Sequence, residues 1–353
     1  MKLVKSITSA AFALCVSAGS MLADSVSPSS VSATLPVGGS TTINKTVTVN
    51  AGPPTSSLVD VFFLADTTGS MGPQIAAIQS AASSILSQAS GLGNVAFGVG
   101  EYKDQPATSG DPFAYRLNTD ITKNTASVTA GINLWSAVGG NDIPEANLFG
   151  LQQAATTTSW RTGSARILVQ FGDAPPHDPS GTATQATATA ALIANNVKLE
   201  AIDVGDLNGT ADGHTGEEGQ IATATGGTLF SGIDTSSIVA AITAAIIHGV
   251  STYSTVGLDL TSAPAGVTVT SSPDFTGSFD RSITRTFGFT VTFKGGAPGT
   301  YDFPIYGTVD GGRVATETDH IVVTGEGVPD SGSAFTLLGL AMAGVEALRR
   351  KLA

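Results

Sequence analysis

Charged residues are scarce in this 353-residue chain, and acids outnumber bases. Only 12% of the residues are charged, about half of the roughly 25% that is usual in a globular protein. The 16 Lys and Arg against 28 Asp and Glu give a formal net charge of −12. Neutralising phosphates needs clustered cations, so the composition argues against nucleic acid as a partner. A chain this acidic favours cations, or partners that are bridged through cations.

Cysteine is almost absent, since Cys15 is the single one in the chain. One thiol cannot build a disulfide framework or a thiolate metal site. Cys15 lies in a segment with a basic start, an apolar run over residues 10–18 and small residues up to Ala23. This pattern predicts a secretory signal peptide over residues 1–23. Its apolar run is too short to span a bilayer as a stable helix. The mature chain is then expected to contain no cysteine, and Leu14 is too bulky for a typical lipoprotein cleavage site.

The C-terminal residues 327–353 contain a short motif, an apolar segment and a basic end. Residues 328–332 read VPDSG, residues 334–345 are apolar, and Arg349, Arg350 and Lys351 follow. An amphipathic tail helix is one interpretation; a sorting signal is the other. This short apolar segment crosses only part of a bilayer core, and the basic cluster would keep the tail on the cytoplasmic side. The motif resembles the VPDSG variant of the PEP-CTERM family of bacterial sorting tails. This resemblance implies a membrane-held tail, processing by an exosortase-type enzyme and delivery to the cell surface or extracellular matrix.

The middle of the chain, residues 57–252, alternates between apolar strands and amphipathic helices. The runs 58–65 and 166–171 are almost continuously apolar, as is typical of strands buried on both faces. Apolar residues three and four apart over 72–90 predict a helix. The alternation predicts an α/β fold, with a doubly wound, mostly parallel sheet flanked by helices. Ligands of such folds bind beyond the carboxyl ends of the strands.

The segments on either side of this region have β patterns only. Residues 253–326 contain strand-like runs such as 287–293, separated by turn residues such as 310–312, and predict a small Ig-like β-sandwich. Residues 24–56 are too few to fold alone. We expect them to add strands to the sandwich, so that the α/β domain is an insertion within it. The alternative is a free N-terminal arm.

Three separated segments offer oxygen ligands at the expected ligand-binding edge of the sheet. Asp66, Thr68 and Ser70 follow the first buried strand at alternate positions, Asp173 ends a later strand, and Glu145 lies where a helix is expected to begin. Each residue also has an ordinary role, as a turn or N-cap residue or as an acid at a helix N-terminus. Hard divalent cations prefer carboxylate and hydroxyl oxygens. Because the three connections meet at one sheet edge, we predict a divalent cation site there.

Residues of about 57–252 resemble a von Willebrand factor type A domain with a metal-ion-dependent adhesion site. Asp-x-Thr-x-Ser stands where the commoner family motif is Asp-x-Ser-x-Ser, which keeps a hydroxyl. The Asp-x-Pro-Glu stretch at 142–145 is similar to the β-integrin form, in which Glu replaces Thr. The resemblance implies a site for Mg²⁺, or Mn²⁺ or Ca²⁺, ligated by Asp66, Thr68, Ser70, Glu145 and Asp173.

β-Integrin-type domains also hold neighbouring cations. The resemblance implies a possible second cation at Asp142 and the carbonyl of Pro144, with a partner in the 101–104 region such as Asp104, although this region does not align cleanly.

Two other polar segments are given ordinary interpretations. Residues 206–217 have a spacing reminiscent of a calcium loop, but Ala211 stands where the sharp turn wants Gly, so a plain polar loop is preferred. His177 and Asp178 could transfer protons, but a surface loop after two prolines accounts for them. With no nucleophile–base set in the sequence, we expect no enzyme activity.

Two functions remain open from the sequence. The first is a secreted or surface-attached bacterial adhesion module, in which the cation binds an Asp or Glu carboxylate of a protein or matrix partner. The alternative is a structural matrix protein, in which the metal only stabilises the fold. Metal-assisted hydrolysis is a third reading, but it lacks a convincing base.

Overall fold

The computed structural model describes residues 23–52 and 58–325. The predicted signal peptide, except Ala23, and the predicted sorting tail lie outside these residues. None of the helices in the described part of the chain is long and apolar enough to cross a membrane.

The N-terminal segment forms three strands: β1 (Ser25–Ser27), β2 (Ser30–Pro36) and β3 (Ser40–Val49). The α/β region that follows contains eight strands: β4 (Leu58–Asp66), β5 (Asn94–Tyr102), β6 (Tyr115–Thr122), β7 (Ala165–Gly172), β8 (Val197–Asp203), β9 (Thr210–Ala211), β10 (His214–Thr215) and β11 (Leu229–Phe230). A 3₁₀ turn, Gly69–Met71, follows β4. The helices are α1 (Gly72–Ser90), α2 (Pro106–Ser109), α3 (Thr125–Ile132), α4 (Asn147–Thr157), α5 (Gln185–Ala194), α6 (Glu217–Ala224) and α7 (Ile238–Ser251).

Six of these strands form one sheet in the order β11-β8-β7-β4-β5-β6. All neighbouring pairs are parallel except β5 and β6, so the predicted α/β architecture is confirmed. The residues of β4 after Leu58 are buried without exception, because helices cover both faces. Helices α1, α3 and α7 enclose one apolar core, and α4, α5 and α6 enclose the other.

The C-terminal part of the described chain is built of strands: β12 (Thr252–Asp259), β13 (Val267–Ser271), β14 (Phe275–Asp280), β15 (Arg285–Gly295), β16 (Gly299–Val309) and β17 (Gly312–Thr324). They form two sheets together with the N-terminal strands, in the orders β1-β3-β15-β13 and β14-β12-β16-β17-β2. Strand β3 pairs with β15 over ten residues, and β2 runs parallel to β17. Apolar side chains from both sheets form a third core.

The α/β region meets these sheets at a polar junction. Helix α7 ends at Ser251 and β12 begins at Thr252. The ammonium of Lys198 donates to the carbonyls of Gly249 and Thr252, at 3.0 and 2.7 Å, and lies 3.1 Å from a carboxylate oxygen of Asp310. This lysine therefore joins β8, the end of α7 and the β16–β17 turn.

Candidate metal centre

The first loop of the site begins where β4 ends. Asp66 is its last residue and is completely buried. The backbone N–H and the hydroxyl of Thr68 both donate to Asp66 Oδ1, at 2.9 and 2.7 Å. Asp66 Oδ2 is buried and has no hydrogen-bond partner among the residues that the structure describes. The following 3₁₀ turn carries Ser70. One carboxylate and two hydroxyls are thus held in a single turn, as the motif predicts.

The second loop follows β7, the parallel neighbour of β4. Because Ala65 and Phe171 are paired in register, the carboxyl ends of the two strands lie side by side. Asp173 follows β7 directly, and Ser70 Oγ donates to its Oδ1 at 3.0 Å. The hydroxyls of Thr68 and Ser70 lie 3.4 Å apart. Residues 103 positions apart in the chain are therefore joined at one sheet edge.

Glu145 reaches this edge from a different kind of backbone than expected. The helix predicted to begin around it starts at Asn147 instead. Glu145 forms a β-bridge with Pro176: its N–H donates to the carbonyl of Pro175 at 3.0 Å, and its own carbonyl accepts from His177 at 2.9 Å. These long-range bonds hold Glu145 extended against the loop that carries Asp173.

Gly140 shows how close Glu145 and Thr68 lie to each other. Its φ is +67°, and a Cβ added there would lie 2.5 Å from Glu145 Oε1 and 2.6 Å from Thr68 Cβ. A side chain at this position would collide with two of the five predicted ligands. Glycine is therefore required here both by backbone conformation and by the close approach of the site.

The three acids of the site have raised pKa values. Burial raises the pKa of Asp66 to about 7, although hydrogen bonds from Thr68 lower it and the charge of Asp173 adds to the rise. Burial, followed by the charge of Asp66, raises the pKa of Glu145 to about 9. Burial also raises the pKa of Asp173. Within the described ranges, none of these three acids forms an ion pair with a basic side chain.

The donor set fits a hard divalent cation. It consists of carboxylate and hydroxyl oxygens only, which are the ligands that Mg²⁺, Mn²⁺ and Ca²⁺ prefer. Two buried carboxylate oxygens, Asp66 Oδ2 and Glu145 Oε2, lack hydrogen-bond partners among the described residues. A buried acid without a partner is costly, and a cation would satisfy both oxygens.

Two buried side chains that sequence reasoning missed support the first loop from behind. The ammonium of Lys103 donates to the carbonyls of Thr67, Ser136 and Val138. Glu101 Oε2 accepts from the Thr67 hydroxyl at 2.8 Å, and its Oε1 pairs with Arg116 at 2.6 Å. Lys103 therefore ties the first loop to the 136–138 segment rather than neutralising the ligand acids. Glu101 is the penultimate residue of the apolar strand β5 and Lys103 directly follows the strand, and this position is the signal that could have identified them.

A second group lies beside the site. Ligand atoms of Asp104, Asp142 and His177 are all within 4.8 Å of one another. The structure thus brings together Asp104 and Asp142, two residues of the possible second cation site, and adds His177, which the sequence placed in an ordinary surface loop. Burial raises the pKa of Asp104 to about 6. The part of Pro144 in this group remains a prediction.

The polar loop at 206–217 contains the β9–β10 hairpin. Its turn residues Asp212 and Gly213 have φ values of 51° and 83°, as in a tight two-residue hairpin. Asp212 Oδ2 and His177 Nδ1 are hydrogen-bonded at 2.8 Å. His214 lies 3.9 Å from both Asp178 and Glu217, so the hairpin packs against the loop that follows Asp173.

Comparison with known proteins now identifies the domain. Residues 60–231 match the family model of the von Willebrand factor A domain, and residues 327–352 match that of the VPDSG-CTERM motif. Residues 60–231 form a von Willebrand factor A domain. Domains of this family are usually binding modules without enzyme activity. The VPDSG-CTERM motif indicates export and sorting to the surface.

One curated relative is an alpha-protein kinase, vwkA, of Dictyostelium discoideum. It is 30% identical over 126 residues, which are 35% of this chain and 19% of that protein. The chain therefore spans about a fifth of the length of this relative.

Three solved structures are similar to the chain. A von Willebrand factor type A protein from Catenulispora acidiphila has a TM-score of 0.45 at 15% identity, over 87% of this chain and 75% of its own. The pilus adhesin SpaC from Lactobacillus rhamnosus GG, in an open conformation, has a TM-score of 0.42 at 14% identity, over 81% and 45%. Proximal thread matrix protein 1 from the mussel byssus has a TM-score of 0.42 at 15% identity, over 57% and 48%.

Proposed function

We propose that this protein is a bacterial surface adhesion module that binds a carboxylate of a protein or matrix partner through a divalent cation. The observation that carries the proposal is the convergence of Asp66, Thr68, Ser70, Glu145 and Asp173 at the carboxyl ends of β4 and β7. Two of these acids have buried oxygens without a partner in the described structure, which favours a bound cation over a purely structural polar cluster.

The chain's own residues have distinct parts in this proposal. The hydroxyls of Thr68 and Ser70 supply neutral oxygens, and the three carboxylates balance the charge of Mg²⁺, Mn²⁺ or Ca²⁺. A bound cation would supply positive charge, which attracts a partner's carboxylate strongly in a partly buried cleft. Lys103, by fixing the carbonyls of Thr67 and Val138, keeps the first loop in place before a partner arrives.

An apolar rim adjoins the candidate site and suggests what else the partner presents. The side chains of Val138 and Ile143 are 57% and 73% exposed. The backbone of Val138 is bonded to Thr67 at 3.2 Å, and Ile143 precedes Glu145 by two residues. Exposed apolar side chains beside a charged site are typical of binding surfaces. We infer that the partner's acidic residue is flanked by an apolar side chain.

We also propose how the domains of the chain are organised around this surface. We propose that residues 24–56 and 253–326 form one Ig-like β-sandwich, and that the domain at 57–252 is inserted in it. The pairing of β3 with β15 and of β2 with β17 supports this division. Exosortase-type processing of the tail at 327–353 would then leave the protein at the cell surface or in the extracellular matrix.

The proposal is tested by binding to extracellular material of the producing bacterium. The full chain should bind this material in Mg²⁺, lose binding in a chelator and regain it when Mg²⁺ is restored. Asp66→Asn should not bind, and material whose carboxylates have been amidated should not be bound. If the chelator lowers only the melting temperature and leaves binding intact, the metal has a stabilising role and the structural matrix alternative holds.

A further inference from the structure

Three charged side chains lie in the apolar core between the two β-sheets. Lys45 is on β3, in the sheet β1-β3-β15-β13, whereas Glu317 and Asp319 are on β17, in the facing sheet. All three side chains are 0% exposed. Lys45 occupies an inward position in line with Val47 and Val49. Glu317 and Asp319 likewise occupy inward positions in line with Ile321 and Val323 of β17.

Among the residues that the structure describes, the side chains of these three groups form hydrogen bonds only with one another. The ammonium of Lys45 donates to Glu317 Oε1 and to Asp319 Oδ1, the latter at 3.1 Å. It also lies 5.5 Å from the centre of the Phe293 ring. Glu317 Oε2 and Asp319 Oδ2 are buried and have no hydrogen-bond partner among the described residues. Two acids therefore share one base in a buried core that is rich in aromatic side chains.

Such a site is costly as a plain ion pair. With all three groups ionised, it would hold an uncompensated negative charge away from water. Taking up one proton makes the trio neutral. Transfer of a further proton from the ammonium to the remaining carboxylate gives an amine and two carboxyl groups, which an apolar site favours. The neutral amine is a nucleophile and the neutral carboxyl group is an electrophile. Holding the two in contact greatly accelerates their reaction.

We propose that Lys45 and Glu317 react to form an intramolecular amide, with Asp319 transferring the protons. The lone pair of the neutral Lys45 Nζ attacks Glu317 Cδ, and a new N–C bond forms. The carboxyl group of Asp319 gives a proton to the departing hydroxyl and takes one from the nitrogen. The Cδ–O bond breaks and one water leaves, while Asp319 ends in its original protonation state. The step needs no oxidant, reductant or co-substrate.

The geometry distinguishes the parts of the two acids. The ammonium of Lys45 makes its closer contact with Glu317 Oε1 and lies 3.1 Å from Asp319 Oδ1. Burial raises the pKa of both acids, which favours the neutral carboxyl form that an amine attacks far more readily than a carboxylate. Glu317 is therefore the acid that is attacked, and Asp319 is the group that accepts the proton of the amine.

The amide would join the two sheets covalently, because Lys45 and Glu317 belong to different sheets. Strand β3 precedes the von Willebrand factor A domain and β17 follows it, so residues 46–316 would lie within one covalent loop. The VPDSG-CTERM tail begins at residue 327, soon after β17 ends at Thr324. A force applied to the tail of a surface-held protein would act first on β17, and the amide would transmit it to β3.

Mass spectrometry of the denatured full chain tests this. The wild type should be lighter than its sequence mass by one water, and digestion should yield a branched peptide joining Lys45 to Glu317. Lys45→Met should have its full sequence mass and yield no such peptide. Lys198→Met is the matched control: Lys198 is also buried beside an acid, but Asp310 is partly exposed, and this variant should keep the cross-link.

The roles are tested by two more variants. Asp319→Asn should form the branched peptide at least tenfold more slowly after refolding from denaturant, while Glu317→Ala should never form it. A wild type that keeps its full sequence mass once folded would overturn the proposal and leave a buried ion pair. A branched peptide that joins Lys45 to Asp319 instead would overturn the assignment of Glu317. Because none of these readouts involves a cation or a partner, they are independent of the proposed adhesion function.

Discussion

Replacing Glu145 with Gln should change metal-free stability and cation affinity in opposite directions. The side chain keeps its shape but cannot ionise. In the metal-free protein this removes a charge that burial and Asp66 disfavour. In the presence of Mg²⁺ it removes a proposed ligand. We therefore expect the variant to be more stable than the wild type in a chelator, and less stabilised than the wild type by added cation.

The size of the effect follows from the pKa of Glu145. It is about 9 in the fold against an ordinary value of 4.5, so the folded state holds the proton more tightly than the unfolded state. Stability of the metal-free wild type must then fall as pH rises from about 4.5 to about 9. At pH 7 the loss is up to about 3 kcal/mol at 1.36 kcal/mol per pKa unit. The variant should melt about 5–10 °C higher in chelator, with a shallower pH dependence.

A matched control separates the two effects. Glu218 is also fully buried, with a pKa raised by burial to about 7, but it is not a proposed ligand. Glu218→Gln should also raise metal-free stability at pH 7, without any change in cation affinity. Thermal melts in chelator and Mn²⁺ titration calorimetry measure both quantities. The reasoning is refuted if Glu145→Gln is no more stable in chelator, or if it binds Mn²⁺ as tightly as the wild type.

Three further predictions concern the site and its rim. Asp66→Asn should lower Mn²⁺ affinity by more than the roughly 10–100-fold that loss of an outer-shell partner costs, with unchanged circular dichroism; a smaller loss would remove Asp66 from the ligand set. Gly140→Ala should weaken Mn²⁺ binding at least tenfold because its Cβ meets Glu145 and Thr68, whereas Gly213→Ala, also at positive φ but with nothing within 4 Å, should leave it unchanged. Ile143→Ser should weaken binding to extracellular material without altering Mn²⁺ affinity, and an equal effect of Ser at the distant exposed Ile283 would contradict a specific apolar rim.

Much of the α/β fold could be predicted because its strands and helices have strong apolar patterns. Strand β6 was harder to predict, because Tyr115–Thr122 form an antiparallel edge strand. Its residues are only partly buried, so their apolar pattern is weak. The helix expected to begin around Glu145 begins at Asn147, because the backbone of Glu145 is hydrogen-bonded to Pro175 and His177. A contact across thirty residues leaves no local pattern.

The candidate site was predictable where its ligands share one turn or follow a strand. The spacing of Asp66, Thr68 and Ser70 and the position of Asp173 after β7 are local features. The position of Lys103 directly after an apolar strand marks it as a candidate, but its partners were not predictable, because hydrogen bonds to backbone carbonyls leave no sequence pattern. The buried Lys45, Glu317 and Asp319 did leave a signal: each stands at an inward position of an alternating strand. Charged residues at such positions are easily assigned to the solvent side.

The central claim is that oxygens from three separate loops hold one divalent cation. The most direct measurement is an anomalous difference map from crystals of the protein grown with Mn²⁺. We expect one strong peak bordered by Asp66, Ser70 and Asp173, with Glu145 and Thr68 alongside. Absence of a peak there, or a strong peak only between Asp104, Asp142 and His177, would contradict the account.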